Sequence, residues 1–156
     1  MKLFELDKKT KDGELLHIDI EKSQNSQNEY TYILSATDKC GEELGFASFI
    51  MGRNSGYLHS ICVREPMNFR RGIGTVMLYS VEDFLFLHDI KKLSGSFSPT
   101  IYKEHGYTYE KACEFYNNRG YEFDDDYFYG TTILKRLERL NYPESTLVTE
   151  EKCPSA

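Results

Sequence analysis

The chain has 156 residues, a formal net charge of −6, and 40% hydrophobic residues, with aromatic residues at 14%. This length suits one compact domain with its own core, and this composition is typical of a folded protein. The acidic balance argues against a nucleic-acid partner, and the absence of a long apolar run or a signal-like N-terminus predicts a cytoplasmic protein with no membrane partner.

The first half of the chain alternates between apolar segments and polar turns, which is typical of antiparallel strands. The connections at 38–42 and 52–56 contain glycine, so the segments that they join are predicted to form hairpins. Residues 23–28 form a short polar connection. The four predicted strands are residues 14–21, 29–37, 44–51 and 57–63.

The second half changes to helical spacing. Apolar residues from 72 to about 88 recur with the period of a helix that has a broad buried face. A short strand at 92–98, a second helix at 108–118 and strand-like pieces around 127–129 and 131–134 follow. The order predicts one α+β domain over residues 1–140, with a twisted, mostly antiparallel sheet of six to seven strands sandwiched between two main helices. Residues 141–156 are predicted to be a polar C-terminal tail.

The start of the first predicted helix carries an anion-binding pattern. Arg70 and Arg71 precede Gly72 and Gly74. Glycines let the backbone approach a ligand closely, and the first amides of a helix have no internal partner and favour an anion such as a pyrophosphate. Met77 stands where a dinucleotide fingerprint needs a third glycine, and no Gly-Lys-Ser/Thr sequence is present. The alternative interpretation is a tight turn and helix start without a ligand.

Two segments together resemble a known family. Residues 71–75 (RGIGT), after a strand that ends in Ile61, Cys62 and Val63, resemble the acetyl-CoA motif of the GNAT superfamily of N-acetyltransferases. Residues 112–121 (ACEFYNNRGY) resemble that family's Ala-x-x-Phe-Tyr-x-x-x-Gly-Phe segment, and the strand at 92–98 lies between the two. The resemblance implies a GNAT-like fold and acetyl-CoA as cosubstrate.

The resemblance also implies roles for individual residues. The amides of 71–75 would hold the pyrophosphate, and the backbone of 61–63 would run beside the pantetheine arm where that strand splays away from its neighbour. Tyr116 matches the tyrosine that often protonates the departing thiolate; without the motif it reads as a core aromatic. The implied cofactor-binding residues are Ile61, Cys62, Val63, Phe69, Arg70, Arg71, Gly72, Ile73, Gly74, Thr75 and Tyr116.

The expected chemistry is direct attack of a primary amine on the thioester within a ternary complex. The attacking ammonium must first lose a proton, and His59, or Glu65 acting through water, is the candidate base. The plain alternative for His59 is an ordinary strand histidine. A backbone amide near Cys62 or Val63 would stabilise the oxyanion. The spacing of cysteines and histidines indicates no metal site.

Two departures from the family affect the acceptor and the cofactor. Phe69 stands where the family usually has Arg or Gln, and residues 23–28 are too short for the helices that often form part of the acceptor site. The acceptor site would then come from residues 99–109, from the partner in a homodimer, or from a protein acceptor itself. The predicted acceptor is a small-molecule amine, a peptide N-terminus or a lysine. The alternative is a catalytically weak acetyl-CoA-binding module that acts as a sensor or interaction protein.

Overall fold

The computed structural model describes residues 2–24, 30–64, 72–97, 109–126 and 130–148. The strands before the first helix are β1 (Lys2–Lys9), β2 (Leu15–Gln24), β3 (Tyr30–Thr37), β4 (Glu43–Met51) and β5 (Gly56–Val63). The remaining elements are α1 (Ile73–Leu87), β6 (Lys92–Phe97), α2 (Tyr109–Asn117), β7 (Glu122–Asp126), β8 (Gly130–Arg136) and β9 (Thr146–Leu147). Neither described helix is long and apolar enough to span a membrane.

The described strands form one sheet in the order β7-β8-β6-β5-β4-β3-β2-β1-β9. Neighbouring strands are antiparallel except β5 and β6, which are parallel and are joined through α1. This confirms the predicted mixed, mostly antiparallel α+β fold, but the sheet has nine strands rather than six to seven. The strands β1, β7 and β9 were not predicted, and the strand-like piece predicted around 127–129 lies outside the described residues. Only Phe4 and Leu6 of β1 are buried, which leaves a weak alternation between charged residues.

Helix α1 covers one face of the sheet. Phe84 of α1 meets Phe49 of β4 with ring centroids 5.6 Å apart. Gly45 on the same strand has no room for a side chain, because a Cβ built there would lie 2.9 Å from the Met77 methyl group. Gly56 at the start of β5 meets Leu85 in the same way. The core therefore lies between α1 and this helix-covered face.

Helix α2 lies on the same face as α1, and this corrects the predicted sandwich. The Tyr109 hydroxyl bonds the Thr131 hydroxyl on β8. Side chains on a strand alternate between faces, so Thr131 shares its face with Lys135, whose ammonium bonds Glu82 of α1 at 2.8 Å. Within the described residues, both helices therefore cover one face, and neither covers the other.

The domain also extends beyond the predicted boundary at residue 140. Strand β9 pairs with β1, and the Val148 amide donates to the Leu3 carbonyl. Asp83 of α1, which is fully buried, accepts hydrogen bonds from the Asn141 and Tyr142 amides. Residues 141–148 are thus an integral part of the fold, because their polar groups find partners on a buried helix.

Replacing Gly45 or Gly74 by alanine is expected to change the stability of the protein in opposite directions. At Gly45 the new Cβ would lie 2.8 Å from the Cys62 carbonyl, so we expect Gly45→Ala to lose about 1–3 kcal/mol of unfolding free energy. At Gly74 the nearest atoms are 3.5 Å away, so Gly74→Ala should be tolerated and gain up to about 1 kcal/mol of helix propensity. Urea unfolding of the two variants measures this, and a Gly45→Ala protein as stable as wild type would contradict it.

Candidate functional site

The sheet opens between its two parallel strands. Strands β5 and β6 pair only at Gly56 with Leu93, Tyr57 with Ser94, and Leu58 with Gly95. Beyond Leu58, the register of β5 against β4 shifts at a bulge, and among the described strands β5 then pairs only with β4 as far as Val63. Strand β6 continues beside β8. Among the described strands, the second half of β5 therefore has no partner on the side of β6, and we call this side its free edge; the family resemblance implies such a splayed strand.

The free edge of β5 presents backbone hydrogen-bonding groups. The Arg64 amide donates to the Leu44 carbonyl at 2.8 Å, so it points toward β4. Because successive amides of a strand point to opposite edges, the Cys62 amide also points toward β4, and those of Ile61 and Val63 point into the opening. Of the two amides considered for an oxyanion, the geometry favours Val63 and disfavours Cys62.

The first turn of α1 lies at the end of this opening and has no side-chain cap among the described residues. Its N-cap is Gly72, which has φ of 84° and no side chain to accept from the helix. The Val76 amide donates to the Gly72 carbonyl, so the amides of Ile73, Gly74 and Thr75 precede the first internal bond. The first turn contains no acidic residue. This arrangement fits an anionic ligand.

Strand β5, helix α1 and helix α2 meet at Gly74. A Cβ built there would lie 3.8 Å from a Val63 methyl group and 3.5 Å from the Phe115 ring. Arg119, just beyond α2, donates from Nε and Nη2 to the Thr75 hydroxyl at 3.0 and 2.5 Å. The segments that carry the two sequence motifs, 41 residues apart between Gly74 and Phe115, are therefore in direct contact at the opening.

Tyr116 lies on the helix-covered face and is buried, with 4% exposure. Its ring packs edge-on against those of Phe115 and Tyr121, at 5.1 and 5.5 Å between centroids. Tyr121 donates to Glu82 at 2.7 Å. Burial raises the pKa of Tyr121 well above its ordinary value, and the adjacent Glu82 carboxylate raises it further, so the Tyr121 hydroxyl stays protonated. Gly120, with φ of 90°, ends the helix segment as predicted.

His59 lies at the β5 bulge and is exposed, on the opposite side from Tyr116. Its ring lies 5.2 Å from that of Tyr57, whose hydroxyl bonds Ser96 of β6 at 2.7 Å. Tyr57 neighbours Leu58, which faces the helices, so Tyr57 and Ser96 face the other way. The candidate base and the candidate acid are thus on opposite faces of the sheet at one opening.

The structure brings most of the predicted residues together. Ile61, Cys62 and Val63 form the end of β5, and Gly72, Ile73, Gly74 and Thr75 form the start of α1. Four predicted residues lie outside the described residues: Glu65, Phe69, Arg70 and Arg71. Within the described ranges, no group of three or more His, Cys, Asp or Glu side chains could hold a metal ion.

Two cations near the site were not predicted. Arg119 contacts Thr75, and carbon atoms of the Lys11 side chain lie 3.3 to 3.7 Å from the position of a Cβ at Gly72. Arg119 sits inside the second motif, at a position where that motif specifies no residue type. Lys11 lies 61 residues before Gly72 in a hairpin turn, and no local pattern relates the two.

Comparison with protein families matches residues 1–121 to the acetyltransferase (GNAT) family. This range ends with the second motif and includes the opening and both helices. No curated protein matches the chain.

Several solved structures share the fold. The GNAT domain of S. lividans PAT has a TM-score of 0.65 and 11% identity, over 85% of this chain and 97% of that one. The PaiA N-acetyltransferase from Thermoplasma acidophilum, in complex with coenzyme A, has a TM-score of 0.57 and 16% identity, over 71% of this chain and 63% of that one. A Klebsiella pneumoniae protein described as an acyl-CoA N-acyltransferase has a TM-score of 0.57 and 16% identity, over 69% and 73% of the two chains.

Proposed function

This chain belongs to the GNAT acetyltransferase family, and from that premise we propose that it transfers an acetyl group from acetyl-CoA to a primary amine. The observation that carries the proposal is the free edge of β5 beside the uncapped first turn of α1. The amides of residues 73–75 would bind the pyrophosphate, and the edge of Ile61 and Val63 would pair with the pantetheine arm. The thioester would then lie in the opening between β5 and β6.

The proposed reaction uses the two faces of the sheet. The ammonium of the acceptor gives a proton to His59 on the exposed face, and the amine nitrogen attacks the thioester carbon. The Val63 amide stabilises the oxyanion. When the tetrahedral intermediate collapses, the carbon–sulfur bond breaks, the thiolate takes the Tyr116 proton on the helix-covered face, and the amine nitrogen gives its second proton to water, which leaves a neutral amide. Glu65, outside the described residues, remains an alternative base acting through water.

The proposed acceptor is a small-molecule amine, a peptide N-terminus or a lysine. In the described residues, both helices lie on one face, so strand side chains such as Tyr57, His59 and Ser96 line the other side of the opening. Among the described residues, an acceptor that approaches from this face meets hydroxyl and imidazole groups.

Tyr116→Phe, compared with wild type, tests the proposal. We expect calorimetry to show that both proteins bind acetyl-CoA with similar affinity, because the substitution removes one hydroxyl and keeps the ring packing. A thiol assay with a panel of amines should show amine-stimulated release of CoA from wild type, and about 100-fold slower release from Tyr116→Phe, the effect of losing a general acid.

The outcomes separate the two functions. Failure of folded wild-type protein to bind acetyl-CoA would contradict the proposal altogether. Tight binding without release of CoA in the presence of any amine would favour the alternative, a binding module that has lost catalysis. Equal rates for wild type and Tyr116→Phe would keep the transferase and remove Tyr116 as its acid.

A further inference from the structure

Arg119 is held rigidly against the first turn of α1. Its Nε and Nη2 donate to the Thr75 hydroxyl, and its Nη1 donates to the Phe115 carbonyl at 2.7 Å. The guanidinium also stacks on the Phe115 ring, 3.9 Å from the centroid. These contacts use three of the five guanidinium N–H groups, and the other two N–H groups take no part in them. Because the oxygen of Thr75 accepts from Arg119, the Thr75 hydroxyl can still donate its own proton to a ligand.

The charge of Arg119 is not neutralised by its described surroundings. None of the ion pairs between described residues includes Arg119 or Lys11. The first turn of α1 contains no acidic residue. Holding an arginine next to a helix N-terminus, whose dipole also repels a cation, costs free energy unless an anion binds there. This is an observation about charge, and it is independent of the sequence motif.

Lys11 brings a second cation to the same turn. It lies in the hairpin turn between β1 and β2, which the Gly13 amide closes on the Thr10 carbonyl at 3.0 Å. Its Cγ, Cδ and Cε line the position of the missing Cβ at Gly72. A Cβ at residue 72 would require the Lys11 stem to shift slightly, whereas the glycine lets the stem lie against the helix start. The ammonium group follows Cε by one bond.

We propose that Arg119 and Lys11 bind the phosphates of the cofactor. This inference rests on the function proposed above. Arg119 supplies a fixed positive charge and Lys11 a mobile one, and both residues lie outside the 71–75 motif. In this chain, Phe69 occupies the position where the motif usually has Arg or Gln. Arg119 also positions the Thr75 hydroxyl. Because it bonds the Phe115 carbonyl and stacks on the Phe115 ring, it connects the start of α1 to α2, the helix that carries Tyr116.

Acetyl-CoA titrations of the full chain at low and high salt test this. The variants are Arg119→Met and Lys11→Met. The matched controls are Arg136→Met on β8 and Lys92→Met on β6. Arg136 and Lys92 are exposed and pair with each other across these strands, at the opposite end of the sheet. At low salt we expect Arg119→Met to bind about 10-fold or more weakly, as for a lost charged hydrogen bond, and Lys11→Met to bind several-fold more weakly. Both deficits should shrink at high salt, because the lost attraction is already screened in wild type.

Arg119→Lys separates charge from positioning. We expect it to keep the salt dependence of wild type, because the charge remains, but to bind more weakly, because an ammonium cannot fork onto Thr75. An Arg119→Met deficit that is equal at both salt concentrations, or no deficit at all, would overturn the inference and leave Arg119 as a packing residue, while binding by wild type would keep the proposed function. No binding by wild type would overturn both.

Discussion

The double variant Gly72→Glu, Gly74→Glu is expected to lose acetyl-CoA binding by more than about 1,000-fold, since several charged hydrogen bonds of about 1.5–3 kcal/mol each would be lost together. A carboxylate at residue 72 would start beside the Lys11 side chain and pair with its ammonium. A side chain at residue 74 would have to pass between Phe115 and Val63, where α2 meets the opening. Two negative charges would then stand where the pyrophosphate is proposed to bind. Calorimetric titration with acetyl-CoA measures the loss.

The matched control for this variant is Gly52→Glu, Asn54→Glu. It adds the same charge in the exposed turn between β4 and β5, at the end of the sheet away from the opening. We expect it to bind acetyl-CoA within about twofold of wild type, because its charges are separated from the site by more than a Debye length of about 8 Å at physiological salt. Equal binding losses in the two double variants would show that net charge, and not the 72–75 turn, controls affinity. Circular dichroism of all proteins verifies that they fold.

The largest expected effect on stability comes from Asp83→Ala, which should lower the free energy of unfolding by about 3 kcal/mol or more. The Asp83 carboxyl is fully buried and accepts from the Asn141 and Tyr142 amides, the Ser145 hydroxyl at 2.6 Å and the Asn141 side-chain amide at 3.1 Å. Alanine would leave the two backbone amides and the Ser145 hydroxyl without this acceptor, and only the Asn141 side-chain amide would keep its other acceptors on α1, Tyr79 and Glu82. Urea unfolding measures the loss.

Asp124→Ala provides the comparison for Asp83→Ala. Asp124 is exposed on the edge strand β7, so the same chemical change there should alter stability by less than about 0.5 kcal/mol. Asp83→Asn, which keeps the size of the side chain and one acceptor oxygen, should fall between the two. If Asp83→Ala unfolded at the same urea concentration as wild type, the C-terminal segment would contribute little to the fold.

The elements with regular local patterns were predicted well. The spacing of Val76, Met77, Val81, Phe84 and Leu85 predicted α1, and Gly120 predicted the end of the second helix segment. The β1 strand was missed, because its two buried residues, Phe4 and Leu6, give too short an alternation, and its stability depends on pairing with β2 and β9. The polar C-terminal sequence predicts a tail, because it does not reveal that the buried Asp83 carboxyl accepts hydrogen bonds from its amides.

The sequence alone determined what depends on neighbours along the chain: the glycine turn at 72–75, the amphipathic helix after it, and the motif that contains Tyr116. A turn or a helix face is set by backbone freedom and residue spacing within a few positions. Only the tertiary structure decided that β5 leaves β6 after Leu58, that both described helices share one face, and that Arg119 and Lys11 reach the start of α1. The contacts that establish these features join residues 22 to 61 positions apart, and their free energy comes from packing, burial and charge that exist only once the sheet has formed.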